Sequence, residues 1–437
     1  MSGPAGDSAP EAAIFDLDGV ITFTAHLHAA AWKALFDAFL RRHAATTGTP
    51  FVPFDAERDY LAYVDGRPRL DGIRTFLASR GIELPEGSPS DPAEADTVAA
   101  LGERKNVLFR ERLEALGVEV DPAAVRLVRE LRARGVRVGV ASSSKNTERI
   151  LRRAGLDDLF EARVDGVERE RLGLEGKPAP DIFLECLRRL GRDDPGRSLL
   201  AEDAVVGVEA GRAGGFGLVL GVDRGGNWIR LREHGGDWIV QDFRRVTADR
   251  IAEYFRCRRH VKPNAIAAWP ELERALAGRR LSVFIDVAAL AGPGAGLGDV
   301  EVRATLNALA EIWPTTVVSD GPDAAGRVAR SLRGVDGIEV AGVDRVERAL
   351  AASRSGTGLP LYIAVAPWAE VESGSAAGVR AGDGAGSKRE PLTEKVVAAG
   401  GIAVLVTELP RPTRAPYTLQ APLEVRAFLD RVAQVRG

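Results

Sequence analysis

Four short apolar segments, Ala12–Asp16, Arg137–Ala141, Ala162–Val164 and Ser198–Ala201, each end on or run into polar residues. Helical stretches such as Pro122–Arg134, Asn146–Ala154 and Pro180–Leu190 separate them. Short strands of this kind, alternating with amphipathic helices, bury both of their faces by joining a parallel sheet with helices on each side. Ligands of such sheets sit at the carboxyl ends of the strands, so the residues that follow each strand are the candidates for function. The first strand is the most telling. Ala13-Ile14-Phe15 leads into Asp16-Leu17-Asp18-Gly19, and side chains two apart on a strand share a face. Both carboxylates can then address one substrate: one attacks phosphorus and helps hold a metal ion, the other exchanges a proton with the leaving or attacking oxygen.

A chain of 437 residues allows two or three domains. Its 59 Lys and Arg against 62 Asp and Glu, a formal net charge of −3, argue against a nucleic-acid groove or an anionic membrane as the main partner. The longest apolar runs, around Ala364 and Ile402, fall short of the roughly 18 residues a membrane span needs. The start Met1-Ser2-Gly3-Pro4 lacks a charged-then-apolar leader, so the expected location is the cytoplasm. Cys186 and Cys257 have no metal-ligand spacing and read as incidental thiols. Lysine is rare, seven of the 59 basic residues. Where it persists, as at Lys105, Lys145 and Lys177, chemistry that wants a compact ammonium is implied.

Between the first and second strands lie amphipathic runs at His28–Arg42, Leu70–Arg80 and Ala99–Leu116, and a Pro-, Glu-, Ser- and Asp-rich loop at Leu84–Asp96. This is too long for a crossover and reads as a helical cap inserted above the site. The expected organisation is a core of residues 10–22 and 117–235, a cap of 23–116, a linker of 236–268 and a second domain of 269–437. In that second domain, strands are expected at Leu281–Asp286, Thr315–Ser319, Leu361–Ala366 and Ile402–Thr407, with a Gly-, Ala- and Ser-rich loop at Ser373–Ser387. Both halves open with a strand that ends in Asp and continue with a strand that ends in Ser, as distant repeats of one fold would.

Four groups of residues follow strands of the first half in order: Asp16 with Asp18; Ser142-Ser143-Ser144-Lys145-Asn146; Gly176-Lys177-Pro178-Ala179-Pro180-Asp181; and Glu202-Asp203. A serine hydroxyl and the free N–H groups of a helix start can hold phosphate oxygens. A lysine neutralises the transferred group, and the acidic pair together with Asp16 supplies hard oxygen ligands of the kind Mg²⁺ prefers. An isolated Asp-x-Asp more often marks a loop, and a lone Gly-Lys-Pro a turn. It is the four together, in order, that carry the reading.

Residues 10 to 225 resemble, in these four motifs, the haloacid dehalogenase superfamily of phosphotransferases. The stretch Asp16–Thr22 with Thr24, His28 and Ala31-Trp32-Lys33-Ala34 is similar to the β-phosphoglucomutase subfamily. The resemblance implies a Rossmann-like α/β core, with Asp16 as phosphorylated nucleophile and Asp18 as general acid/base. Ser142, Ser143 and Lys177 would hold phosphate, and Mg²⁺ would be bound by Asp16, Glu202, Asp203 and the backbone carbonyl of Asp18. It also implies sugar-phosphate contacts from His28, Arg67, Lys105, Ser144, Lys145 and Asn146. Plainer roles compete at His28, Arg67 and Lys105, which could be solvated, while Trp32 suits the core of the cap. Phe23 departs from the pattern, for the subfamily usually has an acidic or amide residue there.

Residues 270 to 437 more faintly resemble trehalose-6-phosphate phosphatases. The parallels are Ser282–Asp286, Thr316–Ser319, Arg411–Leu419 and Pro422–Leu429. A second aspartate is missing from Asp286-Val287-Ala288-Ala289-Leu290, and Leu361–Pro367 contains no acid, so this half is expected to be a degenerate, inactive domain. The fusion points to hydrolysis of a trehalose-like disaccharide phosphate, either trehalose 6-phosphate or a pseudo-disaccharide such as validoxylamine A 7′-phosphate. Mutase chemistry between β-glucose 1-phosphate and glucose 6-phosphate is the alternative, and a non-catalytic sugar-phosphate sensor a third reading. The expected partner is a small sugar phosphate, with oligomeric state left open.

Overall fold

The computed structural model describes residues 9–257 continuously and, beyond them, 264–277, 281–286, 315–318, 338–341, 359–365, 402–407 and 417–435, with a few shorter stretches between. The chain divides into two compact units, Met1–Arg256 and Cys257–Gly437.

In the first unit six strands, β1 (Ala12–Phe15), β2 (Arg137–Ala141), β3 (Ala162–Val164), β4 (Ser198–Glu202), β5 (Leu218–Val222) and β6 (Trp238–Val240), form one parallel sheet in the order β3-β2-β1-β4-β5-β6. All four residues of β1 are buried, as are all five of β4, which is why they read as unbroken apolar runs rather than alternating ones. The sheet reverses direction of winding between β1 and β4, which pair directly, Phe15 opposite Ala201. A crevice opens at the carboxyl ends of strands at such a switch point. Asp16 follows one of these two strands, and Glu202-Asp203 close the other.

Between β1 and β2 the chain inserts α1 (Ala25–Thr47), a π-helical turn at Tyr60–Val64, α2 (Arg69–Ser79) and α3 (Val98–Leu116), then returns through α4 (Pro122–Ala133); α5 (Thr147–Ala154), α6 (Gly166–Leu172), α7 (Asp181–Arg189), α8 (Val205–Ala213) and α9 (Trp228–Glu233) separate the later strands. The insertion has its own core, in which Phe36 stacks on Trp32 at 5.3 Å and meets Phe54 and Phe76 at 5.2 and 4.1 Å. Each fully buried aromatic of this kind contributes about 1.5–3 kcal/mol, so the insertion has an apolar core of its own beside that of the sheet. Trp32, 3% exposed, belongs to this core, as its apolar setting in the sequence suggested.

The expected linker of 236–268 is corrected by the structure. Trp238–Val240 is the edge strand β6, and α10 (Ala248–Cys257) packs in the first unit, with Ile251 and Phe255 buried. At its far end, Ala265 donates its N–H to the Thr418 carbonyl and Asn264 donates to Glu424, contacts within the second unit. Gly and Arg richness hid β6, since only three residues carry it. Strand β5 was not foreseen either.

The second unit contains α11 (Trp269–Leu276), strands β7 (Leu281–Asp286), β8 (Thr315–Val318), β9 (Ile338–Ala341), β10 (Leu359–Val365), β11 (Ile402–Thr407) and β12 (Tyr417–Gln420), and α12 (Ala421–Gln434). Its sheet is parallel, in the order β12-β11-β10-β7-β8-β9. Counted from its own first strand, that is the strand order of the first sheet. Strands β9 and β12 were not foreseen. Ser319, the segments 287–290, 366–387 and 411–416, and the side chain of Asp286 lie outside the described residues.

Candidate active site

The motif residues of the first unit line one cavity of about 260 Å³ between the sheet edge and the helical insertion. Asp16, 4% exposed, follows β1, and its backbone N–H is anchored to the Ala201 carbonyl at 3.0 Å. The chain then turns tightly: Gly19 N–H donates to Thr22 O at 2.7 Å and Thr22 Oγ1 to Leu17 O at 3.1 Å. Gly19 has φ +84°, and a Cβ there would fall 1.8 Å from the Asp203 carboxylate, so no other residue fits this approach. Arg224 braces the turn from outside, bonding Gly19 O at 3.0 Å and Asp121 at 2.5 Å while lying over the Phe23 ring at 4.8 Å. Phe23, the departure from the family pattern, thus serves as the platform for that arginine.

Lys177 reaches the base of the cavity, its side chain 1% exposed. Its ammonium donates to Asp16 Oδ1 at 2.5 Å and to Glu202 Oε1. Burial alone would drive the ammonium toward neutrality, but the two carboxylates hold its pKa above the usual lysine value. Glu202 also accepts from the Ala204 N–H at 2.7 Å, and Gly207 leaves room for it. Burial, offset in part by Lys177, pushes Asp16 up to about 8, with Glu202 and Asp18 adding repulsion. Asp203 is raised well above the carboxylate range by burial, then by Asp65, Glu202 and Asp16.

Asp18 lives in a different environment two residues on. It accepts from Thr24 Oγ1 at 2.5 Å and from Ser142 Oγ at 3.3 Å, with His28 Nε2 3.4 Å away. Burial opposes its charge, yet His28, Thr24 and Lys105 hold it at about 2. His28 itself is shifted down by burial and by Lys105. Lys105, 5% exposed, meets His28 Nδ1 at 2.7 Å and lies 4.7 Å over the Trp32 ring. Burial, then Arg69, lowers it to about 7.

The serine loop after β2 divides its labour. Ser142 is buried and accepts the Ser144 N–H at 3.1 Å, and Ser144 Oγ accepts the Asn146 N–H at 3.1 Å. Lys145 pairs with Glu170, and Asn146 donates to Asn106 Oδ1 at 3.1 Å. Ser143 lines the cavity, and its hydroxyl donates to the Gly66 carbonyl at 2.8 Å and so ties the insertion to the sheet edge.

Arg67 lines the cavity, as do His28, Lys105, Ser144, Lys145 and Asn146. Residues not foreseen also line it: Tyr60, Asp65, Arg69, Glu103, Arg169 and Glu170. Asp65 and Arg69 flank the Asp-Gly-Arg-Pro turn that drew attention to Arg67, but nothing in the sequence says which of its side chains face inward. Arg69 Nε and Arg169 Nε are buried without a hydrogen-bond partner.

Among the described residues no three acidic or imidazole side chains already converge as a ligand set. The donor chemistry nonetheless suits a hard cation. Asp16, Glu202 and Asp203 offer only carboxylate oxygens, and burial together with repulsion from Glu202 raises Asp16 and Asp203.

A family description, haloacid dehalogenase-like hydrolase, matches residues 10–215. A β-phosphoglucomutase of Mycobacterium tuberculosis (strain CDC 1551 / Oshkosh) is 48% identical over 234 residues, 53% of this chain and 89% of that protein. An uncharacterized glycosyl hydrolase of the same organism is 35% identical over 340 residues, 76% of this chain but 24% of its own length. A trehalose-phosphate phosphatase of Mycobacterium leprae (strain TN) is 36% identical over 135 residues, 29% of each chain. With the motif residues gathered at one switch point and a relative this similar matched along most of its length, the chain belongs to the haloacid dehalogenase-like hydrolases and is an enzyme of phosphate esters, a phosphoric monoester hydrolase or a mutase.

Proposed function

We propose that the first unit hydrolyses a sugar phosphate monoester through an aspartyl-phosphate intermediate on Asp16. One observation carries this reading: Asp16 and Asp18, two residues apart, sit in opposite electrostatic settings, one against Lys177 and Glu202, the other against Thr24, Ser142 and His28. Pairs of titratable groups in such different settings divide nucleophilic and proton-transfer work. In the empty site Asp16 is the raised member and Asp18 the lowered one, so a cation beside Asp16 would favour its ionised, nucleophilic form while the anionic ester beside Asp18 would favour proton uptake there.

In the proposed reaction an Asp16 oxygen attacks phosphorus while Lys177 and Ser142 hold the phosphoryl oxygens. Asp18, ionised in the empty site, takes up a proton as the anionic ester binds and gives it to the departing sugar oxygen, then takes one from the water that opens the aspartyl phosphate. Thr24 and His28 orient Asp18 for both steps. Mg²⁺, held by Asp16, Glu202, Asp203 and the Asp18 carbonyl, would supply charge neutralisation for the phosphoryl group. Ser144, Lys145, Asn146, Arg67, Arg69 and Lys105 are placed along the cavity to bind the sugar, under the helical insertion acting as a cap.

The substrate we favour is a trehalose-like disaccharide phosphate, trehalose 6-phosphate or a pseudo-disaccharide such as validoxylamine A 7′-phosphate. The partial likeness to a trehalose-phosphate phosphatase supports it, and on this reading the second unit is a degenerate relative of the first. The mutase outcome is the second reading, favoured by the similarity to proteins named β-phosphoglucomutase and by two buried arginine nitrogens without partners, which could hold a second phosphate. The deciding experiment incubates the full chain and Mg²⁺ with a panel of disaccharide phosphates and with β-glucose 1-phosphate, measuring free phosphate and glucose 6-phosphate together. Free phosphate from a disaccharide ester is the expected result. Isomerisation without release would replace the hydrolase by the mutase, and no turnover of any ester would overturn both.

A further inference from the structure

The turn Asp65-Gly66-Arg67-Pro68 joins the π-helical turn to α2 and is the point where the insertion is seated on the sheet edge. Three contacts fix it. The Gly66 carbonyl accepts from Ser143 Oγ at 2.8 Å. Gly66, at φ +67°, lies so close to the start of α8 (Val205–Ala213) that a Cβ would fall 2.6 Å from the Ala204 Cβ and 2.9 Å from Val206. Gly176, beside Lys177, lies so close to Pro68 that its Cβ would fall 2.2 Å from the proline ring. Ala204 directly follows Asp203, so seating this turn delivers the Asp65 side chain into the cavity beside the Glu202-Asp203 pair.

Asp65 enters that place as a further negative charge. It accepts a hydrogen bond from the Tyr60 hydroxyl, and Arg230 and Lys177 are the cations within its electrostatic range. Asp16, Asp65, Glu202 and Asp203 thus outnumber Lys177 and Arg230, an excess of acidic groups that a divalent cation would offset. The mutual repulsion is visible in the carboxyl groups themselves: Asp65 is pushed up to about 7 by burial and then by Glu202, and Asp65 is the largest charged contributor to the rise at Asp203.

Resting on the Mg²⁺-dependent reading above, we infer that Asp65 couples cation binding to seating of the insertion: its carboxylate opposes seating in the empty site and, once a divalent cation is held by the neighbouring acids, favours it. Asp65 would act as a positioning residue beside a cation held by Asp16, Glu202 and Asp203. By linkage, whatever the cation contributes to seating, seating returns to cation affinity. Outer partners of this kind typically change metal affinity 10–100-fold.

The test uses the full chain without substrate, titrated with Mg²⁺ alone by calorimetry, with amide hydrogen exchange followed at Val64–Arg69 and around Ser143. In the native protein, Mg²⁺ is expected to slow exchange in both segments. Asp65→Asn keeps an acceptor for Tyr60 but removes the charge. It should bind Mg²⁺ about 10-fold or more weakly and show slow exchange already without the ion. Gly66→Ala, which the Ala204 contact keeps from seating, should bind Mg²⁺ weakly and exchange fast with or without it. Native Mg²⁺ affinity and unchanged Mg²⁺-dependent protection in Asp65→Asn would overturn the coupling and leave the proposed activity standing. Failure of the unaltered chain to bind Mg²⁺ would overturn both.

Discussion

Replacing Lys177 by Met removes the one ammonium that lies between Asp16 and Glu202 while keeping much of its length and apolar stem. The three side chains are 1%, 6% and 0% exposed, so water cannot take the lost partner's place. Breaking a buried ion pair from one side costs about 3–5 kcal/mol. For a unit of this size each kcal/mol moves the midpoint by about 2–4 °C, so the first unit's transition should fall by about 6–20 °C. Scanning calorimetry of the full chain in EDTA reads this directly. The double variant Lys177→Met/Glu202→Gln should recover part of the loss, because the uncompensated charge is removed with its partner. A coupling of about 0.5–3 kcal/mol is expected for groups in contact. Mg²⁺ should also restore part of the midpoint in the single variant. A single variant within about 2 °C of native, or strictly additive effects in the double, would show that the ammonium is not paired as described and would remove the electrostatic basis of the site.

Three further outcomes are expected. Asp16→Ala should abolish turnover and Asp18→Asn should lower kcat by about 10²–10⁴-fold, whereas Asp286→Ala should leave it nearly unchanged; steady-state phosphate release would expose the reverse pattern. Lys105, held at about 7 by burial and Arg69, is charged in the unfolded chain up to its ordinary value of 10.5. The folded state therefore binds fewer protons between these values, and stability gains as pH rises through that window, at up to about 1.4 kcal/mol per pH unit. Lys105→Met should accordingly be more stabilising relative to the native protein at pH 6 than at pH 9.5 in paired denaturation curves, and a pH-independent difference would contradict the burial of a titrating ammonium. Arg224→Ala removes the brace on the Gly19 turn and the cation over Phe23, and should slow turnover while leaving α1–α3 unaffected; hydrogen exchange at residues 17–22 would report the loosened turn.

The motif positions were legible because their signals are local. Asp16 and Asp18 come directly after an apolar strand, and the serine loop and the acidic pair likewise close apolar strands, whereas Gly176–Asp181 lies beyond the helix Gly166–Leu172. Strands β5, β6, β9 and β12 were harder. β6 is a three-residue edge strand among glycines and arginines, and such a strand gets its identity from the neighbour it pairs with rather than from its own pattern. The cavity wall from the insertion was hardest. Arg67 was visible as a basic residue in a turn, but the same turn delivers Asp65 and Arg69, and only packing against Ala204, Val206 and Gly176 aims it.

By itself the sequence determined the chemical inventory: two aspartates at one strand end, a serine loop, a lysine after a glycine, an acidic pair, and a second half lacking its own second aspartate. Tertiary structure decided what each group experiences. Asp16 and Lys177 are 161 residues apart and meet because the helix Asp181–Arg189, which follows the lysine, packs against β1, β2 and β3. The Ser143 hydroxyl binds the Gly66 carbonyl because the insertion seats there, and residues 238–256 became part of the first unit rather than a linker. The physical reason is range. Strand period and turn chemistry act over a few residues, whereas charge state and hydrogen-bond partner depend on distances of a few ångströms that only the packed sheet and its insertion bring about.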